Sequence, residues 1–145
     1  MPSLDLTALR SAIQSLQEGL GVVQNQAWFA QQHESVRNTL LAGVIQNFEF
    51  VYEISVKMIR RQLELESDSP SELDQAGFKD MLRMASERGL IDHVEAWFGF
   101  RQMRNITAHT YDHAKALQVY HGTQNFLTHA QAVLLRLEGR GAPDA

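Results

Sequence analysis

The side chains able to do chemistry are gathered in one stretch, where Arg101, Arg104, Asn105, His109, Tyr111 and Asp112 follow one another closely. A histidine that titrates near neutrality can take or give a proton. A guanidinium that never loses its charge can hold a phosphate and stabilise the negative charge developing on it. Together they are the minimum equipment for breaking an RNA phosphodiester, because the neighbouring 2′-hydroxyl supplies the nucleophile. Asn105 could hydrogen-bond a phosphate or orient the imidazole, and Tyr111 offers a phenol. The chain has no cysteine, which excludes thiolate metal sites, disulfides and cysteine nucleophiles. His33, His93, His113, His121 and His129 show no spacing with carboxylates that calls for a metal, so neither a metal nor another cofactor is expected.

At about 100° per residue, Met103, Ile106, Thr110 and Leu117 share one side of a helix, while Arg101, Asn105, His109 and Asp112 fall within an arc of about 80° on the other. The polar set should therefore face away from the core. Arg104 and His109 are five positions apart, which in an unbroken helix separates them by about 140°. They can converge if the helix breaks between them, or if a two-fold dimer brings the motif of each subunit to one cleft. Spacing alone leaves a second reading open. In it Arg104 pairs with a surface carboxylate, Asn105 and Asp112 cap a helix end, and His109 is solvated.

The elements that must hold this stretch are all helical. Few prolines and glycines interrupt the chain, and no segment sustains a two-residue alternation. A first helix is expected from about Leu4 into the middle twenties, on the stripe Leu9, Ile13, Leu16, Leu20 and Val23, with Gly19 and Gly21 weakening its last part. The longest should run from about Glu34 to Leu65, burying Val36, Leu40, Val44, Phe48, Val51, Ile54, Ser55, Met58 and Ile59. Its Glu49 and Glu53 read as an exposed carboxylate pair, and Lys57, Arg60 and Arg61 as a solvated face that could extend an RNA track or meet a partner. Ser69-Pro70-Ser71-Glu72 opens another helix that Gly89 stops, and Asp92-His93-Val94-Glu95 opens a fourth through Trp97, Phe100 and Met103. A final helix reaches about Leu137. Trp28, Trp97, Phe98 and Phe126 are assigned to the core or a dimer interface. Short connections favour antiparallel neighbours in a bundle.

With 145 residues, 44% of them hydrophobic, the chain can bury the core of a single domain, expected over residues 1–138, followed by a flexible tail at 139–145. No run is long and apolar enough for a membrane span, and no leader is visible, so a cytoplasmic protein is expected. A net charge of -4 argues against a wholly basic nucleic-acid-binding surface but leaves room for a local positive patch.

The same residues resemble those of the HEPN superfamily, in the branch called nucleotidyltransferase substrate-binding proteins. The resemblance covers most of the chain. It is carried by Phe48-Glu49-Phe50-Val51-Tyr52-Glu53-Ile54-Ser55-Val56-Lys57, by Arg88-Gly89-Leu90-Ile91-Asp92 with Trp97 after it, and by Arg104-Asn105-Ile106-Thr107-Ala108-His109-Thr110-Tyr111-Asp112. Val56 stands where relatives often have tryptophan, a difference of packing. The resemblance implies an all-α, up-and-down bundle of four to five helices that forms a homodimer with both motifs lining one cleft. In HEPN toxins of this motif class the activity is metal-independent RNA cleavage, and a minimal nucleotidyltransferase antitoxin attaches AMP to the motif tyrosine. Carried over, Arg104 binds and polarises the phosphate, His109 transfers protons, Asn105 and Arg101 support them, and Tyr111 is the modified position. The branch name implies the alternative: a non-catalytic subunit that presents a substrate or nucleotide to the nucleotidyltransferase. A helical interaction module with no small-molecule site is the third reading.

Overall fold

The structure, a computed structural model, describes residues 3–141. Among them the chain is all-α: α1 (Thr7–Gln24), α2 (Gln26–Phe29), α3 (Glu34–Glu66), α4 (Pro70–Gln75), α5 (Phe78–Glu87), α6 (Val94–Ile106) and α7 (His113–Gly141). The long helices form an up-and-down bundle. α3 is its axis, with α1 and α7 packed along it and against each other, and α5 and α6 closing the remaining side. No helix among the described residues is long and apolar enough to cross a membrane.

α1 buries the five residues its periodicity singles out, Leu9, Ile13, Leu16, Leu20 and Val23. Gly19 and Gly21 do not shorten it. Gly19 lies over α3, where an added Cβ would stand 3.5 Å from Val44 and 3.6 Å from Asn47. Packing there offsets the roughly 1 kcal/mol that glycine costs a helix. Trp28, on the unforeseen single turn of α2, is 40% exposed and leaves the core assignment to Trp97 and Phe126.

α3 buries Val44, Phe48, Val51, Ser55, Met58 and Ile59 as the spacing predicts, while Val36 is exposed. The reason is angular: Val36 lies about 80° from Val44 on the helical wheel, at the edge of the apolar arc. Phe48, Trp97, Phe100 and Phe126 meet edge to face at the centre. Their ring centroids are 4.8 Å apart for Phe48–Phe126, 5.3 Å for Trp97–Phe100 and 5.0 Å for Phe100–Phe126. Each such pair contributes about 0.5–1.5 kcal/mol beyond area burial. The cluster fixes α6 against α3 and α7, and so fixes the platform from which the polar stretch starts.

The helix expected from Ser69 to Gly89 is two helices. Ala76 and Gly77 adopt extended backbone, ending α4 and starting α5. Glycine's low helix propensity favours the break. The Ser69 hydroxyl makes no capping bond, although the helix does begin at Pro70. Nor does Asp92 cap α6, because its carboxylate is taken by Arg136 of α7, 2.5 Å away. Gly89 stops α5 as predicted: at φ 77° it adopts the left-handed conformation. Its N–H reaches the Ser86 carbonyl at 3.1 Å, and that of Leu90 the Ala85 carbonyl at 2.8 Å, the paired bonds of a Schellman cap.

α6 and α7 approach closely where Gly122 faces Met103; a Cβ at 122 would lie 2.7 Å from the Met103 Sδ and Cε. α7 continues through Gly141, past the expected boundary at 138. Arg140, expected from sequence to lie in the tail, is bonded to Glu66 and to the Arg88 carbonyl. Residues 142–145 of that expected tail lie outside the described residues.

Candidate functional site at the α6–α7 joint

The polar stretch occupies the joint between α6 and α7. α6 ends at Ile106, a 3-10 turn covers Thr107–His109, and α7 starts at His113. Two side chains make the break. The Thr107 hydroxyl donates to the Arg104 carbonyl at 2.6 Å, adding a side-chain bond to a carbonyl that the Thr107 backbone N–H also reaches. Asp112 accepts from the Ala114 N–H at 2.9 Å and caps α7. The two faces expected from the wheel persist through the break: Arg101, Asn105, His109 and Asp112 are exposed, while Met103, Ile106, Thr110 and Leu117 are partly buried.

Arg104 is held by the axis helix. Its Nε and Nη2 donate to the Glu53 Oε1 at 3.0 and 2.8 Å, and its Nη1 donates to the Thr107 Oγ1 at 3.1 Å. Glu49 approaches Nη1 at 4.0 Å. A guanidinium has five N–H donors in a planar fork. Three are engaged, which leaves one on each terminal nitrogen. A guanidinium with donors left over can still bond the oxygens of a phosphate. Glu49 and Glu53, read from the sequence as an exposed pair, are therefore what positions Arg104. The signal was their one-turn spacing, but a single helix does not disclose which cation faces it. The reading in which Arg104 pairs with a carboxylate describes this local contact and leaves two donors over.

Beside Arg104 opens a groove of about 600 Å³ lined by Tyr52, Glu53, Val56, Lys57, Arg60, Phe78, Arg101, Arg104 and Asn105. Arg101 lies over the Phe78 ring, 4.3 Å from its centroid. Tyr52 is buried at the side of the groove, and burial pushes its phenol up to about 12, partly opposed by the Arg101 and Arg104 charges. It stays protonated at working pH and serves as a wall.

His109 and Tyr111 lie further along, on the turn. Tyr111 is 86% exposed, and its hydroxyl is 3.4 Å from the His109 Nδ1. Their rings meet edge to face at 6.0 Å. Thr110 and Tyr111 border a separate hollow of about 220 Å³ with Asn38, Leu41 and Ile45 of α3. The helix thus breaks between Arg104 and His109, yet among the described residues no hydrogen bond joins them. Arg104 lines the groove, and His109 is not among its lining residues.

The other histidines are dispersed, and no group of three or more metal-ligating side chains occurs among the described residues. His129 is half-buried, with its ring 5.3 Å from that of Phe100. Burial holds its pKa below the usual histidine value, assisted by the charge of His93.

Residues 4–139 match the family described as nucleotidyltransferase substrate binding protein like. A Haemophilus influenzae protein named probable ribonuclease HepT is 42% identical over 141 residues, 97% of each chain. A Haemophilus influenzae structure described as the fold of a substrate binding domain of a nucleotidyltransferase matches with a TM-score of 0.91. It is 42% identical, with 92% of this chain and 99% of that one covered. A Thermus thermophilus crystal structure shares the fold, with a TM-score of 0.67 at 24% identity, covering 89% of this chain and 98% of its own. The chain belongs to the nucleotidyltransferase substrate binding protein like family, the HEPN branch that its second-helix and Arg-Asn motifs resemble.

Proposed function

We propose that this protein is a metal-independent endoribonuclease toxin, neutralised by a minimal nucleotidyltransferase antitoxin. The observation that carries the reading is Arg104, held by Glu53 and Thr107 with one N–H on each terminal nitrogen left over for a phosphate. The relative named probable ribonuclease HepT supports the same activity.

In the reaction the 2′-hydroxyl oxygen bonds to phosphorus as the bond from phosphorus to the 5′ oxygen breaks, leaving a 2′,3′-cyclic phosphate and a 5′-hydroxyl. Arg104 stabilises the charge on the non-bridging oxygens. One imidazole takes the 2′ proton and a second, protonated, delivers one to the 5′ oxygen. A two-fold homodimer provides both, as His109 from each subunit, and brings each close to an Arg104. Asn105 and Arg101 support the bound phosphate. Tyr111 is the acceptor for AMP: its hydroxyl attacks the α-phosphate of ATP on the antitoxin, and pyrophosphate leaves. Its 86% exposure suits a group that must enter another enzyme's site. The added charge and bulk beside His109 then repel and occlude an RNA backbone. Cleavage in the cytoplasm, where RNA is abundant, fits this reading.

The test is cleavage of RNA by purified protein in the presence of chelator. Arg104→Ala and His109→Ala should each lower the rate by about 10²–10⁴-fold. Cleavage surviving both substitutions removes these residues from the mechanism. The family description and the similar structure favour a second reading, a subunit that presents a nucleotide to a nucleotidyltransferase. Nucleotide binding with no RNA turnover between pH 5 and 9 would select it.

A further inference from the structure

We propose that the groove between α3, α5 and α6 is the track for single-stranded RNA flanking the scissile phosphate. Lys57, Arg60 and Arg101 hold successive phosphates, and the Phe78–Arg101 stack is the platform for a base. The inference rests on the ribonuclease reading and extends it to residues outside the motif.

Charge is the first support. The chain carries a net charge of -4, yet this groove gathers Lys57, Arg60, Arg101 and Arg104 against the single carboxylate of Glu53. That carboxylate is engaged by Arg104. Among the described residues no acidic side chain forms an ion pair with Lys57, Arg60 or Arg101. Cations left unpaired in a concave site focus a positive potential suited to a polyanion.

Spacing is the second. Lys57 and Arg60 are three residues apart on α3, so their Cβ atoms lie about 5–6 Å from each other on one face. That is comparable with the distance between neighbouring phosphates of a single strand. Arg104 and Asn105 line the same groove, so a strand whose scissile phosphate sits on Arg104 runs directly into it.

The third support is the stack. Phe78 holds one face of the Arg101 guanidinium at 4.3 Å, and the other side of that plane is available to a base. Guanidinium planes and aromatic rings are the usual stacking partners of unpaired bases. Tyr52 and Val56 supply an apolar wall, and the volume of about 600 Å³ is within the range that takes a nucleotide-sized group. A duplex would present its bases only at their edges and could not use the stack.

The experiment reads binding apart from cleavage. A fluorescent oligoribonucleotide carrying 2′-O-methyl groups lacks the nucleophile and is titrated against wild type, Lys57→Glu/Arg60→Glu, Arg101→Gln and Arg10→Gln at several salt concentrations. The double variant should bind more than tenfold more weakly, and its log–log salt slope should shrink by about 1.4, the value for two lost contacts to a single strand. Arg101→Gln should also weaken binding, by about tenfold. Arg10→Gln, which removes a cation outside the groove, should bind as wild type does. Wild-type affinity and slope in the double variant overturn the track, as does AMP binding as tightly as the oligomer. Unmethylated RNA is then offered to the same proteins. Absence of cleavage by wild type with groove-dependent binding defeats the ribonuclease reading alone, and normal binding and cleavage by the double variant defeats the groove alone. Unchanged melting of the double variant confirms that it is folded.

Discussion

Arg104 and the pair His109–Tyr111 belong to one short motif but live under different constraints. The guanidinium is anchored to α3 and to the start of the turn, with three hydrogen bonds to Glu53 and Thr107. The imidazole and phenol stand on an exposed turn, joined to each other by a contact of 3.4 Å. The difference matches what each group has to do. A group that stabilises developing charge is most effective when it does not have to reorganise during the reaction. A group that exchanges protons, or that is handed to a second enzyme, has to be reached. The rigid half of the motif borrows its rigidity from α3, which a reading confined to the motif does not include.

The contrast can be broken first at the anchored half. Glu53→Gln keeps the shape of the side chain and removes the charge that orients Arg104. The kcat for RNA cleavage should fall about tenfold with KM little changed, and Glu53→Asp should recover part of it. The melting temperature should hardly move, because an exposed ion pair contributes only about 0–1 kcal/mol. A lower KM at unchanged kcat would mean instead that Glu53 competes with the phosphate. Next is Thr107→Val, which deletes the hydroxyl that bridges the Arg104 carbonyl and its Nη1. Stability should drop by about 1 kcal/mol, seen as a melting point lower by about 3–5 °C. An unchanged melting curve would show that the joint is held by Asp112 alone. The smallest effect belongs to the exposed half. Tyr111→Phe should leave stability and RNA cleavage within about twofold, since only its ring edge and one weak bond contact the chain. It should also abolish AMP transfer from the nucleotidyltransferase; label incorporated into the variant would place the modification elsewhere.

The legible part of the fold is the part with strong periodicity. Every residue of the α1 stripe is buried, and most of the α3 stripe is, because long amphipathic helices have one way to hide their apolar side. The Ser69–Gly89 segment reads as one helix because Pro70 and Gly89 are strong punctuation while Gly77 is weak, and its extended neighbour Ala76 carries no local cue. The motif itself is visible as a cluster of residue types. Its distant partner is not: Glu53 becomes meaningful only once α3 and α6 are side by side, which depends on the packing of Phe48, Phe100 and Phe126. The same applies to Lys57 and Arg60, indistinguishable in sequence from any solvated face until Phe78 and Arg101 close the other bank.

The bare position at Gly122 gains importance from what rests on it. Met103, whose thioether occupies the place of the missing methyl, immediately precedes Arg104 in the chain. The separation of α6 from α7 is therefore gauged by a hydrogen atom. An alanine at 122 would act as a shim: the flexible thioether would swing aside, the elbow between the two helices would open slightly, and the anchor of the guanidinium would travel with it. A site far from any reacting atom would in this way tune the reach of one that touches substrate.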